Sequence, residues 1–169
     1  MERLYAPWRM EYIKTGELDR AGCFICNKLN APLEKDRDNL LLYRGSYTVT
    51  MLNLYPYTNG HAMVAPIRHI ANYEELSVEE VLESKKITDM LIIIMKKTMS
   101  AQGFNVGYNL GRVAGAGCDT HIHLHIVPRW NGDTNFMAIF SETKVISEGL
   151  EKTYDNLKNE IEKYVNDHF

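Results

Sequence analysis

Residues 120–130 read Thr-His-Ile-His-Leu-His-Ile-Val-Pro-Arg-Trp, and this alternation of polar and apolar side chains constrains the fold more than any other stretch. Successive side chains of an extended chain point to opposite faces, so a period of two means a strand with one imidazole face and one aliphatic face. His121, His123 and His125 fall on the first face, and Ile122, Leu124 and Ile126 on the second. At the usual rise of a strand, neighbouring imidazoles stand roughly 6–7 Å apart. A lone histidine in a strand is most simply a satisfied core residue. Histidines in strict register, with a glycine-rich loop before them and Pro128-Arg129 after, form a reactive surface instead. The aliphatic face needs a covering layer, and the histidine face is expected to stay open to solvent or ligand.

The remaining chain supplies that layer. Leu40–Tyr43 and Tyr47–Asn53, punctuated by Arg44-Gly45-Ser46, read as paired strands. Pro56–Gly60 is a turn, with Asn59-Gly60 its strongest signal, and His61–Ile67 is the next strand. Ser77 and Glu80 have the spacing of a capping box. The helix they open carries apolar residues at Val81, Leu82, Ile87, Met90, Leu91, Ile94 and Met95, and Gly103 is placed to end it. Phe104–Leu110 reads as a strand, Gly111–Gly117 as a loop, Phe136–Phe140 as a further strand, and Ser147–Val165 as an amphipathic helix. The expectation is an α+β fold: about five antiparallel strands, one long helix and a C-terminal helix within 146–169. Residues 1–22 read as an irregular extension, and the 169 residues as one domain.

The net charge of −3 gives no support to a nucleic-acid polymer or an anionic membrane as partner. The first residues lack the apolar core of a signal peptide, and the longest aliphatic run, Met90–Met95, is far too short to span a bilayer. Cys23, Cys26 and Cys118 are odd in number, which fits a reducing, cytoplasmic setting. Cys23-Phe24-Ile25-Cys26 is either a redox pair, half of a metal site, or two small buried residues.

Two chemistries suit the histidine face. A metal centre built from it would want carboxylates, and Asp119 is the only acid close by in sequence. Nucleophilic attack on phosphorus would use the middle imidazole and needs a cradle for a charged phosphate. The loop Gly111–Gly117 offers backbone N–H groups with little side-chain bulk, and Arg112 and Arg129 offer planar cationic donors.

His-Ile-His-Leu-His-Ile-Val resembles the motif of the histidine triad superfamily of nucleotide hydrolases and transferases. The resemblance extends to Cys23-x-x-Cys26, Asn53, Gly60-His61-x-x-Val64-x-Pro66, His69 and Asn109, and so covers roughly residues 20–140. The run from Asn109 to Phe136 is similar to the bacterial diadenosine tetraphosphate phosphorylase/hydrolase-like branch. Gly117-Cys118-Asp119-Thr120 departs from the Gly-Gln-Ser/Thr of better-known members.

The resemblance implies the following roles. His123 is the nucleophile that forms a nucleotidyl-histidine intermediate, His125 positions the phosphate or leaving group, and His61 supports them. Asn53 faces the ribose, Asn109 with Gly115–Gly117 binds the α-phosphate, and Trp130 either contacts substrate or packs against the final helix; Arg129 is the substrate-binding cation that its charge suggests. Cys23, Cys26, His69 and His121 hold a structural zinc, with no organic cofactor. The substrate is a small nucleotide, an adenine dinucleotide or an AMP conjugate. The assembly implied is a homodimer with a continuous ten-stranded sheet. The activity implied is cleavage of a dinucleoside polyphosphate; a phosphoramidate hydrolase, or a nucleotide-binding signalling module with incidental turnover, are the alternatives.

Overall fold

In the computed structural model, which describes residues 22–133 and 148–168, five antiparallel strands form one sheet in the order β1-β2-β3-β5-β4. These are β1 (Leu41–Arg44), β2 (Thr48–Leu52), β3 (Ala62–Pro66), β4 (Gly103–Tyr108) and β5 (Leu124–Arg129). The helices are α1 (Phe24–Leu29), α2 (Val78–Met99) and α3 (Leu150–His168). The architecture is the expected α+β one. The expectations for residues 1–21 and for a strand at 136–140 lie outside the described residues.

Alternation along the strands divides the sheet into two faces. Leu42, Leu52, Ala62, Val64, Leu124 and Ile126 pack with α2 and α3 in the larger core. Leu41, Val49, Met51, Met63 and Ala65 point the other way and pack with Ile25 of α1 in a smaller one. The register sets His125 opposite Met63 of β3 and Gly107 of β4. The imidazoles therefore belong to the face that α1 covers. This corrects the expectation of an open face at His121, which is fully buried; His123 and His125, 7% and 8% exposed, open only onto a cleft.

Ser77 caps α2 as expected, its side chain accepting from the Glu80 N–H while the Glu80 carboxylate accepts from the Ser77 N–H. Arg68 Nε and Nη2 hold the two oxygens of the same carboxylate at 2.8 Å. The inward stripe runs through Glu80, Ser84, Ile87, Thr88, Leu91, Ile94 and Met95. Val81 and Leu82, expected in the core, are exposed, because the stripe passes through Glu80 and Ser84 one face away. The helix stops not at Gly103 but at Ser100, which takes a left-handed conformation with φ 52° and leaves Gly103 to open β4. No local rule selects serine there, since a Cβ in that region costs about 1–2 kcal/mol.

Glu83 of α2 fastens the β1–β2 turn. It accepts from the N–H groups of Ser46 (2.9 Å), Tyr47 (2.9 Å) and Thr48 (2.6 Å), and from the Thr48 hydroxyl (2.7 Å). A Cβ on Gly45 would stand 2.5 Å from the carboxylate, so the turn needs glycine at that place. At the far edge, α3 sends Tyr154 and Lys158 to the Leu41 and Leu42 carbonyls at 2.9 and 3.1 Å.

Partial burial pushes the Glu83 carboxyl up, but the Thr48 hydroxyl and the backbone N–H groups outweigh it and hold the group below its ordinary 4.5. Its contribution is therefore complete above that value and lost as pH falls through the lower folded one. Glu83→Ala is expected to cost about 2–3 kcal/mol in denaturant titrations at neutral pH. The gap to wild type should narrow in acid; a gap that does not change with pH would contradict this role.

Candidate active site and metal-ligand cluster

The chain enters β5 through His121 and Ile122, whose N–H donates to the Ile70 carbonyl at 2.8 Å. Along this stretch each imidazole is held by a group that fixes its proton. His123 Nδ1 lies 2.9 Å from the carbonyl oxygen of His121. A carbonyl only accepts, so Nδ1 carries the hydrogen and the Nε2 lone pair is left available. Burial pushes the His123 pKa down and keeps the ring in its neutral, nucleophilic form. Phe24 of α1 meets this ring edge-on, with centroids 6.5 Å apart.

His125 and His61 form a relay. The Tyr57 N–H donates to His61 Nδ1 at 3.1 Å, and the Tyr57 ring stacks on the His61 ring at 4.6 Å. His61 therefore carries its proton on Nε2, which lies 2.9 Å from His125 Nδ1. His125 in turn must carry its own on Nε2. The Asn109 amide lies 3.3 Å from that nitrogen. An amide can turn to present its oxygen and a backbone N–H cannot, so the tautomer order is decided from the Tyr57 end. Asn53 completes the group, its amide nitrogen 3.4 Å from His61 Nδ1 and its oxygen accepting from the Tyr55 N–H.

His123 and His125 line a cleft of about 810 Å³, counting the space at its mouth. Its lining is largely apolar and aromatic, from Phe24, Leu52, Leu54, Tyr55, Tyr57 and Met63, with Asn53 and Lys28. The loop through Gly115, Gly117 and Cys118 lines it too. Gly115 follows a short helical turn at Arg112–Ala114 and has φ 96°, a conformation that favours glycine. Imidazoles, apolar and aromatic side chains and a loop of small residues together suit a ligand with a planar apolar part and an anionic part.

Behind the nucleophile lies a second cluster. His121 Nε2 donates to the Pro66 carbonyl at 2.9 Å, so Nδ1 is the lone-pair nitrogen. Nδ1 faces Cys23 Sγ at 3.2 Å and Cys26 Sγ at 3.5 Å, and His69 Nδ1 lies 3.3 Å from Cys26 Sγ. The ligand atoms of all four residues fall within 4.8 Å of one another. A tetrahedral ion held by two thiolates and two imidazoles has edges of roughly 3.3–3.8 Å, so the set fits a metal. Burial keeps His121 neutral, the form that ligates. The bond to Pro66 is the outer-shell contact that orients a ligating imidazole. Of the readings open for the CxxC, the structure favours the metal one: Cys23 caps α1, and both thiols point to histidines rather than pairing.

A family model for the HIT domain matches residues 34–132. The AP-4-A phosphorylase of Mycobacterium tuberculosis is 37% identical over 90% of this chain and 80% of its own length. The chain belongs to the HIT family. A bis(5'-nucleosyl)-tetraphosphatase of Schizosaccharomyces pombe is 30% identical over 69% of this chain and 60% of its own. Among solved structures, a zinc-bound histidine triad family protein from Mycobacterium smegmatis superposes with TM-score 0.67 at 22% identity, covering 88% of this chain and 99% of that one. A histidine triad nucleotide-binding protein from Sulfolobus tokodaii superposes with TM-score 0.63 at 28% identity, over 86% and 93%.

Of the residues singled out in sequence, this HIT protein brings His123, His125, Asn53, Gly115 and Gly117 to one cleft, with His61 and Asn109 set against His125. It gathers Cys23, Cys26, His69 and His121 in the cluster behind it. Arg129 and Trp130 are not brought there. Arg129 pairs with Asp133 and donates to Asn105 at 2.9 Å, and Trp130 Nε1 donates to the Met99 carbonyl at 2.9 Å. Pro128 and Arg129 carry the strand past the cleft, so these side chains are spent on packing β5 against β4 and α2. Arg112, offered as a phosphate donor, pairs with Asp119 at 2.8 Å. Phe24, Lys28 and Tyr57 were missed as cleft residues. The helical spacing of Phe24 and Lys28 after a capping cysteine was the available signal.

The cluster makes its own prediction. Protein purified without chelator is expected to carry a stoichiometric transition metal by elemental analysis. Cys26→Ser should lose it and melt at a lower temperature; equal metal content and Tm in the two proteins would rule out a bound ion.

Proposed function

We propose that this protein cleaves a dinucleoside polyphosphate of the diadenosine tetraphosphate kind through a nucleotide carried on His123. The observation that carries the reading is the locked tautomer of His123: Nδ1–H is held by the His121 carbonyl, and Nε2 has no hydrogen-bond partner among the described residues. The similarity to the AP-4-A phosphorylase and to the tetraphosphatase supports the choice of substrate.

In this reading the α-phosphate rests between Asn109 and the N–H groups near Gly115 and Gly117, with the ribose toward Asn53. The His123 Nε2 lone pair attacks phosphorus as the bond to the bridging oxygen breaks. The departing oxygen leaves with that bond's electron pair, and the His125 Nε2–H stabilises it by hydrogen bonding. His61, protonated on Nε2 by the Tyr57 contact, keeps His125 in the donating tautomer. Water or inorganic phosphate then attacks phosphorus, the P–N bond breaks, and its electrons return to Nε2.

The cluster of Cys23, Cys26, His69 and His121 is read as a structural zinc site, with no organic cofactor. Zinc would hold the CxxC and the triad strand together there. Support comes from the donor set, whose soft thiolates and imidazoles suit that ion, and from the zinc-bound relative. Thiolate ligands need a reducing setting, which favours the cytoplasm. Homodimer formation through β4 is supported by the exposure of Asn105, Val106 and Gly107.

Incubation with diadenosine tetraphosphate, with and without phosphate, tests the reading. ADP appearing only with phosphate marks a phosphorylase; AMP plus ATP, or two ADP, without it marks a hydrolase. Faster turnover of an AMP-amine conjugate would favour the phosphoramidase reading, which a Candida albicans adenosine 5'-monophosphoramidase, 24% identical over 87% of this chain, supports. Slow turnover of every substrate beside tight nucleotide binding would favour a signalling module. His123→Ala is expected to lower kcat by about 10³-fold or more while nucleotide binding persists. Near-wild-type kcat in that variant would overturn the covalent mechanism.

A further inference from the structure

Among the described residues that line the cleft, Lys28 is the one lysine or arginine. It lies one helical turn beyond Phe24, about 6 Å further along the same face of α1. Phe24, which meets the His123 ring edge-on, and Lys28 both line the cleft, together with Leu52, Leu54 and Tyr55. Its ammonium donates to the Asn39 carbonyl at 2.6 Å, and among the described residues no carboxylate pairs with it. Burial pushes its pKa down, as expected for an ammonium only partly compensated for lost water.

An ammonium has three donors and no acceptor, and Asn39 uses one of them. Anchoring by a neutral carbonyl fixes where the other two are, without cancelling the charge. A planar base laid on the apolar wall presents ring nitrogens and carbonyl oxygens at its edge. We propose that Lys28 reads the base of the bound nucleotide, donating a hydrogen bond to an acceptor on a purine edge. This rests on the reading that the cleft holds a nucleoside. The anionic part of that ligand belongs at the glycine loop, where Gly115 and Gly117 line the cleft, and near Asn109, whose amide reaches His125.

Nucleosides separate this role from a contact with phosphate, because they carry none. Adenosine with its 1-, 3- and 7-deaza analogues and guanosine with its 3- and 7-deaza analogues, each analogue lacking one ring acceptor, would be titrated into wild type, Lys28→Met and Lys28→Arg. One deaza analogue should bind wild type about tenfold more weakly than its parent, the size of a lost hydrogen bond to a charged donor. Lys28→Met should bind parent and analogue alike, and Lys28→Arg should restore part of the difference. A purely structural role, tying α1 to the Asn39 loop, would change Tm and all affinities together but not that ratio. Ratios near one for every analogue on wild type would overturn the inference, even if Lys28→Met failed to fold. If diadenosine tetraphosphate is still turned over in that case, the proposed function stands and only the base contact falls. If neither turnover nor nucleoside binding is seen, both fall.

Discussion

The hydrogen bond from His123 Nδ1 to the carbonyl of His121 ties the chemistry of this protein to its backbone. It makes one imidazole nitrogen a donor that cannot leave and the other a lone pair facing the cleft. The residue that supplies the carbonyl spends its own side chain on the cysteine cluster, through Nδ1, and on Pro66 of β3, through Nε2. One residue thus connects the sheet, the thiols and the nucleophile. Displacement of its ring would move the carbonyl and release the proton that keeps His123 poised.

The same economy governs the face on which the histidines lie. A six-residue helix has too few internal hydrogen bonds to hold its place alone. α1 keeps its position because Ile25 enters the small core and because Cys23 and Cys26 are held beside His121 and His69. In turn it sets Phe24 on the edge of His123 and Lys28 on the cleft wall. The smaller core, the cysteine cluster and the binding wall are three consequences of one short element.

Much of this was legible because period and capping are local. The Ser77–Glu80 box and the Asn59-Gly60 turn each depend on residues within a few positions, and each forms as read; the alternating strand forms only from Leu124 onward, so His121 and His123 precede it. The occupancy of the histidine face was not legible, since burial by α1 depends on a packing partner about a hundred residues away. Nor were the fates of Arg129 and Trp130. Both sit next to the triad in sequence, but β5 carries them beyond the cleft, where Asp133, Asn105 and Met99 engage them. Cationic and aromatic character mark a residue as able to bind a nucleotide; only the strand's direction says whether it reaches one. Ser100 was missed for a different reason. Its left-handed backbone ends α2 where the Ala101 N–H turns back to the Met95 carbonyl, and a serine carries no signature of that.

The two margins of the sheet are finished differently. At β1, Tyr154 and Lys158 of α3 occupy carbonyl groups of Leu41 and Leu42, and a bulge between Leu41 and Tyr43 breaks the repeat. That margin makes a poor template for another strand. At β4, among the described residues, Asn105, Val106 and Gly107 stay exposed along an unbroken six-residue strand. A sheet with one receptive margin cannot lengthen indefinitely by adding copies of itself. Were two such margins to pair with each other, both would be consumed, and nothing would be left for a filament to grow from.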